Sequence, residues 1–99
     1  MLVSFLGRST EGILRDARKA FPGEQILLVS RDNDAIQPPA DVSCISVSEF
    51  EPDLDKSYTV ISNGGTAVQL IPVVMRLVRA GVDMRIFDLQ IDSIERIDI

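Results

Sequence analysis

The chain has 99 residues, room for one hydrophobic core, and its 45% hydrophobic and 25% charged residues are the proportions of a folded globular domain. It contains no His and no Trp, and Cys44 is its one cysteine. That excludes Ser-His-Asp and Cys-His triads, His-bearing zinc sites and internal disulfides, leaving hydroxyls, carboxylates, Arg and backbone amides for any chemistry.

The net charge of -5 argues against a DNA-binding surface, because Lys and Arg supply the general affinity for phosphates. The charge is unevenly placed. Residues 1–31 hold five bases and three acids, residues 32–55 hold seven acids and no base, and residues 56–99 hold five of each. An anion site outside the acidic middle therefore remains open, and eight Arg against two Lys favour planar, bidentate contacts to phosphate. The first residues lack a basic region followed by a long apolar run, and no apolar stretch approaches the roughly 18 residues of a membrane span. The expected location is cytoplasmic, with no membrane partner; a lone thiol agrees with a reducing compartment.

Taken in chain order, residues 2–6 are mostly apolar and end at Gly7, the pattern of a buried strand. Residues 10–21 then change period: Ile13, Leu14, Ala17, Ala20 and Phe21 fall at helical spacing, with charges on the other face. Ser9 or Thr10 can cap this helix and Pro22-Gly23 ends it. Residues 25–30 form a second strand, apolar on both faces, so the three elements predict a parallel βαβ unit in a covered sheet. Residues 31–41 have loop composition, and 42–47 read as a third strand with Cys44 as a small core residue. The acidic stretch 48–56, with Pro52, reads as an exposed connection and 58–62 as a fourth strand.

After the turn Asn63-Gly64-Gly65-Thr66, residues 67–80 read as a helix closed by Gly81. Pro72 requires either a kink or a proper start near Ile71 after one irregular turn. This helix is apolar nearly all round, more than one sheet face can bury, so it is expected to pack against a second copy of the chain through Val68 to Val78; its alternative is a cover supplied by the chain's own C-terminal segment. Residues 82–89 are a fifth strand. Residues 91–99 read either as a sixth, antiparallel edge strand or as a helical turn on Ile91, Ile94 and Ile97. The expected fold is one α/β domain over 1–99, a compact, mostly parallel Rossmann-like sheet with few helices.

Two turns carry the candidate chemistry, because ligands of open α/β sheets bind where strands end and helices begin. The first, Gly7-Arg8-Ser9-Thr10-Glu11-Gly12, brings a guanidinium and two hydroxyls to a helix N-terminus; its alternative is a simple cap beside a solvated Arg. In the second, paired glycines let the main chain approach a ligand closely, with Asn63 and Thr66 beside those amides; its alternative is a tight turn needing positive φ. It is neither a P-loop nor a dinucleotide fingerprint. Asp32, Asp34 and Asp41 lack a metal-ligand spacing, so no metal and no cofactor are expected.

The stretch from Val60 through Gly64-Gly65-Thr66, the apolar helix, Gly81 and the following strand resemble a ligand-binding motif of the CARF domain, the CRISPR-associated Rossmann fold. Residues 2–12 look like that family's other ligand motif. The resemblance covers about half the chain and implies a homodimer whose paired turns bind cyclic oligoadenylate, the messenger of type III CRISPR defence. Family members often carry Lys after Gly-Gly-Thr, where this chain has Ala67; Arg8 or Arg31 would have to supply the cation. With no room for an output domain, the expected activity is a ring nuclease that cleaves the messenger without metal. On this reading Arg8, Ser9 and Thr10 position and neutralise the scissile phosphate, Asn63, Gly64, Gly65 and Thr66 hold ribose and phosphate, and Gln69 and Arg31 are further ligand contacts. The alternatives are a non-catalytic sensor or sponge, and a flavodoxin-like regulatory module; for flavin, Phe5, Phe21 and Phe87 read as core, leaving few aromatics to stack a ring.

Overall fold

Strands apolar on both faces are stable only inside a sheet covered by helices, and the chain builds that arrangement. A computed structural model describes residues 1–7, 10–31, 37–62 and 68–89. These form strands β1 (Leu2–Phe5), β2 (Ile26–Ser30), β3 (Ser43–Ser46), β4 (Tyr58–Ser62) and β5 (Met84–Asp88), with helices α1 (Thr10–Ala20) and α2 (Ile71–Ala80). The sheet order is β3-β2-β1-β4-β5, and every pairing among these strands is parallel. It is a Rossmann-like α/β sheet, as the sequence predicts; the edge strand considered for 91–99 lies outside the described residues.

From β1 the chain crosses through α1 to β2 on one side, and from β4 it crosses through α2 to β5 on the other. Right-handed crossovers in opposite directions require the helices to lie on opposite faces. The packing agrees. On one face Ile13, Leu14 and Ala17 of α1 cover Leu2, Leu6, Leu28 and Ile61. On the other, Val73 and Leu77 of α2 cover Val3, Phe5, Val29, Tyr58 and Val60. Alternate residues of β1 thus serve different cores, and each large side chain buried this way contributes about 1.5–3 kcal/mol before entropy is counted.

Helix ends follow local chemistry. α1 carries Glu11 in its first turn and Arg18 and Lys19 in its last, complementing its dipole. α2 starts at Ile71 after a 3-10 turn over Val68–Leu70, the second of the two arrangements Pro72 permits, since a proline in the first turn forfeits no helical hydrogen bond. Gly81 ends it at φ 72°, donating its N–H to the Val78 carbonyl at 3.1 Å.

Two expectations need correction. Cys44 is exposed, on β3 at the edge of the sheet. The connection 48–56 is not wholly exposed either. It crosses the α2 face, and Phe50, only 1% exposed, fills the core there beside Tyr58.

Candidate functional site

An all-parallel sheet brings every strand's carboxyl end to one edge. There β1 leads into Gly7, β2 into Arg31, β3 into a 3-10 turn (Val47–Glu49), and β4 ends at Ser62. The strand order reverses between β1 and β4, which pair directly through Leu2 with Thr59 and Val3 with Val60. At such a reversal neighbouring connections leave in opposite directions and open a crevice, the usual ligand position in open α/β sheets. The two turns singled out from the sequence are the connections that leave β1 and β4. Arg8, Ser9, Asn63, Gly64, Gly65 and Thr66 themselves lie outside the described residues.

Thr10 is described and is 95% covered, at 5% exposure. Its hydroxyl donates to the Gly7 carbonyl at 2.6 Å and accepts the Gly7 N–H at 2.7 Å. The first turn is therefore closed by its own threonine, whose proton is already committed to the backbone. Thr10 fixes the path of the chain at the head of α1.

Arg31 and Gln69 meet in a groove of about 510 Å³ on the α2 side of this edge. Gln69 reaches it from the 3-10 turn before α2, half-buried, and Arg31 from the end of β2, exposed. Phe5, Val68 and Pro72 supply apolar lining, and Val47 and Ser48 come from the segment after β3. Arg76 completes the groove and braces it: one guanidinium nitrogen donates to the Val47 carbonyl and, at 2.9 Å, to the Phe50 carbonyl. No carboxylate lies among the described residues that line it. Three other surface grooves each include at least two: Glu24 and Asp41, Glu24 and Asp83, or Glu11 and Asp41. Among the described lining residues this groove is the one of the four in which arginines occur without carboxylates.

Sequence reasoning missed Ser48, Arg76 and the pair at the far side of the edge, where the Ser62 hydroxyl donates to Asp88 Oδ2 at 3.0 Å. Ser62 and Asp88 are register partners, each a polar residue in the last position of an apolar strand. That position was the available signal. Among the described residues no group of three Asp, Glu, Cys or His side chains is arranged to hold a metal ion, and no helix is long and apolar enough to cross a membrane.

Comparison with protein-family models, with curated proteins and with solved structures returned no match.

Proposed function

We propose that this protein binds cyclic oligoadenylate at the carboxyl edge of its sheet and cleaves it, ending a type III CRISPR signal. The observation that carries this reading is the position of the two turns: they leave adjacent strands at the reversal of strand order, beside a groove whose described lining includes Arg31 and Arg76. A cyclic, polyanionic ligand needs a concave edge with backbone donors and guanidinium groups.

Cleavage proceeds by in-line attack of a ribose 2′-OH on the adjacent phosphodiester. The O2′–P bond forms as the P–O5′ bond breaks, and the proton lost from the 2′-OH is balanced by one gained at the 5′ oxygen, leaving a 2′,3′-cyclic phosphate. Neither metal nor histidine is required. The protein contributes alignment and charge stabilisation, with Arg8 and Ser9 at the scissile phosphate, the 63–66 turn on ribose and phosphate, and Thr10 holding the first turn in shape. Because Thr10 already donates to Gly7, it has no role as a proton donor in this scheme. The same observation favours a second reading, a non-catalytic binder that sequesters or senses the messenger.

The site is completed by a second copy docked on α2. Its outward stripe of Val68, Ile71, Met75 and Val78 is 70, 52, 48 and 62% exposed, and Val68 also lines the groove, so a partner on the stripe would stand beside the ligand.

Incubation with cyclic tetra- and hexa-adenylate in metal-free buffer, followed by chromatography, tests the proposal. Linear products ending in 2′,3′-cyclic phosphate are expected, and Arg8→Ala and Ser9→Ala should lower turnover by more than they weaken binding. Binding without products selects the sequestering role, and failure to bind either ring overturns the reading altogether.

A further inference from the structure

An acid and a base border the apolar stripe of α2 toward opposite ends of the helix. On one flank of α2, Pro72 and Arg76 share a groove with Val47 and Ser48, and Arg76 donates to the Val47 and Phe50 carbonyls that bracket Glu49. Glu49 therefore stands beside the first half of the helix. Arg79 continues the same flank about one turn beyond Arg76, at the C-terminal end. Both side chains are exposed, and the ion pairs among the described residues join other groups. The stripe itself is close to palindromic, with Ile71 and Val78 about one turn to either side of Met75.

We propose that a second copy docks on this stripe with the two α2 helices antiparallel, the twofold axis beside Met75, so that Arg79 of each copy meets the partner's Glu49. Such an axis carries Ile71 onto the partner's Val78. It exchanges the ends of the helix and keeps the flank, which brings the opposite charges together. A parallel arrangement would set Arg79 beside the partner's Arg79, and like charges oppose it. That the partner is a second copy rests on the functional reading above; the orientation rests on the two charges and on the spacing of the stripe.

Sedimentation equilibrium of the wild type, Glu49→Arg, Arg79→Glu and the double variant tests the arrangement. Each single reversal turns two symmetric attractions into repulsions and should weaken the dimer roughly tenfold or more. The double variant re-forms both pairs with their signs exchanged and should recover most of the loss. Because Glu49 and Arg79 are exposed, each variant keeps the fold, which an unchanged circular dichroism spectrum verifies. Single reversals that dimerise like the wild type, a double variant no tighter than the singles, or a wild type that stays monomeric at high concentration overturns the arrangement. A parallel titration with cyclic tetra- and hexa-adenylate separates it from the functional reading. If the charge reversals behave as expected and neither ring binds, the docking stands and the messenger falls; if a monomeric wild type binds a ring, the reverse holds.

Discussion

Ser4 stands in the middle of β1 at 2% exposure, and its hydroxyl has no hydrogen-bond partner among the described residues. A buried hydroxyl without a partner carries its desolvation penalty uncompensated, of order 1–3 kcal/mol. Ser4→Ala removes that penalty and little packing volume, so it should stabilise the protein by about 1 kcal/mol, seen as a higher midpoint in urea unfolding. A lower midpoint would mean that the hydroxyl is satisfied after all. Thr10 is the contrasting case: equally hidden, but with its hydroxyl paired in both directions to Gly7. Two small polar side chains near the same strand thus have opposite energetic signs, and only their surroundings distinguish them.

Among the elements, the segment after β3 depends most on a single side chain. Arg76 reaches from α2 to the Val47 and Phe50 carbonyls and holds the segment that buries Phe50 and lines the groove. Arg76→Met keeps the aliphatic stem and loses both charge-assisted bonds. It should cost about 2 kcal/mol of stability and speed amide exchange at Phe50, whose N–H bonds to the Val47 carbonyl at 3.3 Å. Unchanged exchange would show that Phe50 alone anchors the segment. This contact also marks where sequence reading stops. The ends of α2 were legible because Pro72 and Gly81 act on their own backbone, and Arg31 was legible because it directly follows a strand. Gln69 was legible only conditionally, since its reach depends on how the turn before α2 is built. Phe50 and Arg76 were not legible at all. Their roles arise between segments 26 residues apart, and an acidic, proline-containing stretch looks the same from its sequence whether or not one of its residues is pulled beneath a helix. The exposure of Cys44 was hidden for the same reason: strand composition does not reveal which strand becomes an edge.

For the molecule as a whole, α2 is one-sided. Val73 and Leu77 are fully buried, while Ile71, Met75 and Val78 face outward with Val68 one turn earlier, a continuous apolar stripe. If a second copy covers it, light scattering after size exclusion will give a dimer mass for the wild type and a monomer mass for Met75→Asp. Met75 is 48% exposed, so the charge is tolerated in the free chain. A monomeric wild type at high concentration, or a dimeric variant, removes the self-association.

β1 is the strand at which the two halves of the sheet meet. It pairs with β2, near it in the chain, on one side, and on the other with β4, which arrives only after the long excursion through β3. The crevice therefore does not exist in either half of the chain; it comes into being when β4 docks. A ligand held there binds the docked state alone, so its binding free energy is added to the cohesion between the halves and acts as a seam across the middle of the sheet.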